Sequence, residues 1–101
     1  MASFTVKKEA ARLYKQEMEL EEGDYVRLFV RVGGVGSGGY SMGVAKEKPE
    51  AGSDVLQADG IYFFVNPQDQ WYMNGMVISY DPQIDLLTFE NPNIQDVTNP
   101  R

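Results

Sequence analysis

The segment Ile61–Val65 constrains the fold more than any other, because it is apolar on both of its faces. Alternate side chains of a strand point to opposite sides, which here gives Ile, Phe and Val on one face and Tyr and Phe on the other. A strand open to water on one side normally alternates apolar and polar residues. We therefore expect a strand covered on both faces, by the core on one and by a helix or a partner subunit on the other.

The remaining periodic segments predict one helix and some six short strands. Asp59–Gly60 before Ile61 is a tight-turn signal and predicts a hairpin with the preceding segment. In Tyr25–Val32 one face is aliphatic and the other mixes arginine with phenylalanine, so arginine stems are expected to lie on aromatic rings. The predicted elements are a helix at about Lys7–Leu20, strands at Tyr25–Val32, Tyr40–Ala45, Asp54–Ala58, Ile61–Val65, Met76–Tyr80 and Leu86–Glu90, and a helical turn at Asp69–Met73.

These elements predict a mainly β fold of the α+β type, in which one N-terminal helix packs on a sheet or pseudo-barrel of short strands. At 101 residues the chain is expected to form one domain over 1–101, with a flexible polar tail at 94–101. The N-terminus lacks the apolar core of a signal peptide, and no apolar run reaches membrane-spanning length. We therefore expect a cytoplasmic protein with no membrane contact.

The sequence contains neither cysteine nor histidine. Zinc–thiolate sites, thiol nucleophiles and cysteine-held clusters are therefore excluded, and the commonest general base is missing. We predict a non-enzymatic protein with no catalytic residue, no metal ligand and no cofactor. The net charge of −6 disfavours nucleic-acid binding, because a phosphate backbone requires a basic surface.

A glycine-rich segment, Gly33–Gly39, matches the spacing G-x-G-x-x-G at Gly34, Gly36 and Gly39. A dinucleotide loop needs a helix to begin at the third glycine, whereas a strand is predicted there, so we favour a turn over a nucleotide site.

Acidic and aromatic residues offer weaker candidate sites. The acidic segment Glu17–Asp24 is a candidate contact surface, although a solvated helix end is favoured. Trp71 and Tyr72 are expected to be core anchors rather than an exposed patch. The carboxylates do not form a calcium loop and are expected to be solvated turn residues; they are Asp54, Asp59, Asp69, Asp81, Asp85 and Glu90.

An ordered set of motifs along nearly the whole chain resembles the HesB/IscA family of A-type iron–sulfur carriers. The strongest is Phe89-Glu90-Asn91-Pro92-Asn93, which is similar to the family's F-x-x-N-P-N signature. The other matching segments are Ala10–Ala11, Val26–Val32 followed by Gly33–Gly34, the Gly/Ser-rich stretch ending at Tyr40, Gly60–Val65 and Asn74–Tyr80.

The resemblance implies a HesB-like β-sandwich or pseudo-barrel that assembles as a homodimer or higher oligomer. It also implies three cysteine ligands, whose positions correspond here to Val35, Thr98 and Pro100. None of these residues supplies a thiolate, so no ligand carries over. The chain is thus similar to the cysteine-lacking, YneR-like branch of HesB-like bacterial proteins.

The sequence therefore predicts an oligomeric binding or adaptor module that has a protein partner and is not a cysteine-ligated iron–sulfur carrier. The candidate contact surfaces are Glu17–Asp24 and the sheet aromatics. The alternative is a small-molecule or divalent-metal-binding protein that uses the Gly33–Gly39 loop and the carboxylates. An enzyme without His or Cys would need a pocket holding paired carboxylates or an activated Lys or Tyr.

Overall fold

The computed structural model describes residues 3–32 and 40–91; the predicted tail at 94–101 and the Gly33–Gly39 loop lie outside them. No helix in these ranges is long and apolar enough to cross a membrane. The helices are α1 (Lys8–Glu17) and α2 (Gln70–Met73), with a 3₁₀ turn at Pro67–Asp69 before α2. The strands are β1 (Thr5–Val6), β2 (Tyr25–Val32), β3 (Tyr40–Lys46), β4 (Asp54–Ala58), β5 (Ile61–Val65), β6 (Val77–Asp81) and β7 (Leu86–Glu90).

Two sheets enclose the core. In the four-stranded sheet the order is β3-β2-β5-β4, and β2 runs parallel to β5 while the other neighbours are antiparallel. In the three-stranded sheet the order is β1-β6-β7, with β1 parallel and β7 antiparallel to β6. The predicted hairpin of β4 and β5 is confirmed, and its turn residues Asp59 and Gly60 have φ of 51° and 82°. Positive φ at both positions matches the right-handed twist of the strands.

Strand β5 is fully covered on its core face and partly covered on the other, where Tyr62 is half-buried. Ile61, Phe63 and Val65 are buried in the main core. On the other face Phe64 is also fully buried, and the Tyr25 ring meets it edge-on at 6.5 Å between centroids. This burial is reached within a single chain, so a partner subunit is not needed to cover Phe64.

Helix α1 ends at Glu17 rather than at the predicted Leu20, because a capping motif terminates the helix. Glu19 adopts a left-handed φ of 54°, and the Leu20 N–H donates to the Lys15 carbonyl at 2.8 Å. The Glu19 N–H also donates to the Gln16 carbonyl, and these two hydrogen bonds form a Schellman motif. The Leu20 side chain is buried next to this motif. Glycine usually takes the left-handed position, so the sequence signal at Gly23 placed the stop too late.

Three smaller features also differ from the sequence prediction. Strand β1 was not predicted, because two residues show no periodicity. The predicted helical turn at Asp69–Met73 is confirmed as α2 at Gln70–Met73, and only the preceding 3₁₀ turn at Pro67–Asp69 was not predicted. The prediction that Trp71 and Tyr72 are core anchors is right for Tyr72, which is buried, and wrong for Trp71, which is 60% exposed.

Tyr14 gives a testable consequence of this packing. It lies on the buried face of α1 with its ring 6.1 Å from that of Phe63, and burial raises the pKa of its phenol to about 12. The phenol therefore ionises more easily in the unfolded chain, where its pKa is about 10. Stability present below pH 10 is lost as the pH rises toward 12, and we expect Tyr14 to account for about 1–3 kcal/mol of that loss.

Urea unfolding of the wild type and of Tyr14→Phe at several pH values between 9 and 12 measures this contribution. The free energy of unfolding of Tyr14→Phe should fall less steeply than that of the wild type. Parallel curves would contradict the assignment.

Candidate functional site

The glycine-rich segment connects two paired strands. β2 and β3 are antiparallel, and Val32 lies opposite Tyr40 at the end of the ladder. Residues 33–39 therefore join the strands of a hairpin, and a strand rather than a helix follows them. This geometry does not provide the helix N-terminus on which a dinucleotide loop depends. Val35 lies in this segment, and Thr98 and Pro100 lie in the tail, so all three family ligand positions fall outside the described residues.

Among the described residues the predicted carboxylates form no metal site, although Asp81, Asp85 and Glu90 share the hairpin of β6 and β7. Within residues 3–32 and 40–91, no group of three or more Asp or Glu side chains is placed to hold a metal ion. Asp54 accepts hydrogen bonds from the Ser3 backbone and hydroxyl, and Asp81 accepts one from the Gln83 N–H at 3.0 Å. Each of these contacts fixes a local turn or terminus.

Asp69 corrects the expectation that these carboxylates are solvated, because it is buried. Its Oδ2 lies 3.1 Å from Nη2 of Arg27, and its Oδ1 accepts the Val30 N–H at 3.3 Å. The pairing of β5 with β2 ends at Arg27, so the carboxylate satisfies a β2 donor beyond the end of the partner strand. Asp69 therefore links the turn before α2 to the four-stranded sheet. Such a link between distant segments gives no signal in local sequence.

The face of this sheet that points away from the core carries cations and aromatic rings, as predicted. The guanidinium of Arg27 lies 5.0 Å from the centroid of the Phe29 ring. Gly43 on β3 makes room for that ring, since a Cβ there would lie 2.6 Å from Phe29 Cζ and 2.8 Å from Arg31 Cδ. Arg27 also contacts Glu47 at 3.5 Å, so its charge is shared between two carboxylates. The members of this outer sheet face are Tyr25, Arg27, Phe29, Arg31, Tyr62 and Phe64.

The acidic segment Glu17–Asp24 is partly structural. The Asp24 carboxylate accepts the Glu21 N–H at 2.8 Å and lies 3.3 Å from Lys46 Nζ. The Glu21 N–H, and then Lys46, lower the pKa of Asp24 despite an opposing effect of burial. The segment is also tied to the β4–β5 hairpin, because the Gly23 N–H donates to the Gly60 carbonyl at 2.8 Å. Its other acids are exposed, so it stays a candidate contact surface only in part.

Exposed apolar side chains mark two further surfaces: one at Trp71, where the sequence analysis favoured a core anchor over an exposed patch, and one on the β6–β7 hairpin, which it did not single out. Trp71 borders an open polar cleft of about 550 Å³ whose lining includes Ser53 and Asp54. The hairpin of β6 and β7 exposes Ile84 by 65%, Leu86 by 49% and Phe89 by 40%. The adjacent leucines at Leu86–Leu87 are the sequence signal that could have revealed this hairpin, since they place apolar groups on both faces of one strand.

One family of proteins matches this chain over nearly its whole length. Residues 2–98 match the family described as "Iron-sulphur cluster biosynthesis". The chain belongs to this family, which confirms the resemblance seen in its motifs. A solution NMR structure of a protein from Aquifex aeolicus matches the fold with a TM-score of 0.60 and 30% identity, over 91% of this chain and 94% of that chain. The predicted α+β fold class is confirmed.

Two curated relatives differ in what their names say. The chain is 40% identical over 92 residues to the "Pyruvate dehydrogenase inhibitor" of Bacillus subtilis, covering 87% of this chain and 97% of that protein. It is 33% identical over 94 residues to the "Iron-sulfur cluster insertion protein ErpA" of Alkalilimnicola ehrlichii, covering 90% of this chain and 77% of that protein.

The two carboxylates that contact Arg27, those of Asp69 and Glu47, allow a matched test of whether Asp69 stabilises the fold. Replacing Asp69 by Ala leaves the Val30 N–H and the guanidinium without a buried acceptor, and should lower the free energy of unfolding by about 2–4 kcal/mol. Glu47→Ala removes an exposed partner of the same arginine and should cost less than about 1 kcal/mol. Urea denaturation measures both changes, and equal losses would contradict a structural role for Asp69.

Proposed function

We propose that this member of the family is a non-enzymatic protein-binding module that inhibits a pyruvate dehydrogenase. The observation that carries the proposal is the 40% identity to the Bacillus subtilis inhibitor across 97% of that protein's length. The identity to the cluster insertion protein is lower, at 33% across 77% of its length. The inhibitor is therefore the better guide to the activity of this chain.

The lack of cysteine supports the same choice. A bound iron–sulfur cluster is held by thiolates, and the sequence has none at Val35, Thr98, Pro100 or anywhere else. A cluster carrier would lose its activity with those ligands. An inhibitor would not, because it needs only a stable fold and a surface that fits its target.

The surface chemistry also suits a protein ligand. Apolar patches rimmed by polar groups are typical of protein contact sites. Trp71 and the β6–β7 hairpin offer such groups outside the core.

We further propose that the chain works in the cytoplasm as a homodimer or higher homo-oligomer.

The alternative, a small-molecule or divalent-metal-binding protein built on Gly33–Gly39 and the carboxylates, has less support. The carboxylates of Asp54, Asp69, Asp81 and Asp85 each accept a hydrogen bond from a different partner, and no group of three acidic side chains among residues 3–32 and 40–91 is placed to hold a metal ion. A stabilising shift in melting temperature with a divalent cation or a metabolite would favour this alternative.

An activity assay tests the proposal directly. The purified chain is added in increasing amounts to the pyruvate dehydrogenase complex of Bacillus subtilis, and NADH formation from pyruvate is followed. We expect a saturable decrease in rate, because the chain occupies a site on the complex. The cluster insertion protein of Alkalilimnicola ehrlichii is the matched control with the same family fold, and it should leave the rate unchanged. An unchanged rate with this chain, or an equal decrease with the control, would contradict the proposal.

A further inference from the structure

The β6–β7 hairpin ends in an edge that no described strand covers. β7 is the last strand in the order β1-β6-β7, so one side of its backbone has no partner among residues 3–32 and 40–91. Leu86 and Phe89 lie on opposite faces of β7, and both are substantially exposed, as is Ile84 in the turn. An edge strand with apolar groups on both faces can accept an added strand. We call β7 with the turn before it the β7 edge.

The β7 edge carries more negative than positive charge, and the one cation among the described residues lining the cleft beside Tyr80 and Pro82 is Arg12 of α1. Asp81, Asp85 and Glu90 are all exposed around it, and the sequence has no Lys or Arg between residues 49 and 100. The Tyr80 hydroxyl donates to Asp85 Oδ1 at 2.6 Å. This bond, with partial burial and the charges of Asp85, Glu17 and Asp81, raises the pKa of Tyr80.

We propose that the β7 edge binds the partner protein, and that the occupant is an extended, basic segment whose Lys or Arg residues flank apolar side chains. This inference rests on the proposed function and names the surface it uses. The added strand would pair with the β7 backbone, and its apolar side chains would contact Leu86 on one face and Phe89 on the other. Its cations would meet Asp85 and Glu90, which favours a basic partner over a neutral one.

A second copy of this chain is the less favoured occupant. Pairing two β7 edges around a two-fold axis would bring the acidic groups of both copies together with no cation from either hairpin between them. In an antiparallel pair centred on Thr88, Glu90 of each copy would lie opposite Leu86 of the other and next to its Asp85, so two acidic groups would repel each other at both ends of the pair. The charge of the β7 edge therefore selects a partner of opposite sign.

A charge-reversal pair tests this surface. Phe89→Lys/Glu90→Lys places two cations on the β7 edge. Val55→Lys/Glu50→Lys is the control, because Val55 is also 40% exposed on an edge strand and both double variants change the charge equally. Binding to the immobilised pyruvate dehydrogenase complex of Bacillus subtilis is measured by interferometry. We expect the first variant to lose about tenfold or more in affinity and the control to stay within about twofold.

Ile84→Lys is the second variant, because its side chain is 65% exposed and the change should leave folding intact even if Phe89→Lys does not. It should also weaken binding, and added salt should weaken binding of the wild type. Wild-type affinity in both β7-edge variants would overturn this inference while leaving the proposed inhibition standing. An equal loss of affinity in the control variant would overturn the inference as well. So would a wild-type dimer that dissociates in the β7-edge variants while these variants still inhibit the complex, because the β7 edge would then bind a second copy of this chain. If the unmodified chain does not bind the complex, the proposed function fails and the inference fails with it.

Discussion

The burial of β5 on both of its faces is the constraint on which the rest of the fold depends. Covering a large apolar side chain contributes about 1.5–3 kcal/mol, and all of Ile61, Phe63, Phe64 and Val65 are buried. This requires a neighbouring strand on each side, which β2 and β4 supply, and core residues against one face. On the other face Tyr25 contacts Phe64, which is buried, and stacks on Tyr62, which is half-buried. Two-sided burial therefore places β5 inside the four-stranded sheet.

The sequence predicted the elements whose side chains follow a clear period. The bounds of β2, β4, β5 and β7 agree with the prediction, since each strand carries several alternating residues. Features that depend on contacts between distant segments were not predictable. The burial of Asp69 results from its pairing with Arg27, 42 residues away in the chain, and the end of α1 depends on Glu19 taking a conformation that usually favours glycine.

The features of the candidate site can also be separated into those that the sequence predicted and those that it did not. The absence of cysteine was readable from composition alone, and with it the loss of the family's ligand chemistry. The outer sheet face was predicted from the alternation of arginine and phenylalanine. The exposure of Trp71 was the less favoured of two alternatives and that of the β7 edge was not predicted, because large apolar residues of a small domain are expected to lie in the core. Only the three-dimensional arrangement distinguishes large apolar residues that are buried in the core from those that are exposed.

These observations together describe a chain with the family's fold and without the cysteines that ligate a cluster, and we propose that it does not carry one. Anaerobic incubation of the purified chain with ferrous iron and sulfide, followed by desalting and iron analysis, tests this claim most directly. The cluster insertion protein of Alkalilimnicola ehrlichii, treated in the same way, is the positive control. We predict that the control retains iron and sulfide with visible absorption, whereas this chain retains neither. Stoichiometric iron and sulfide on this chain would contradict the account, because it would require ligands other than cysteine.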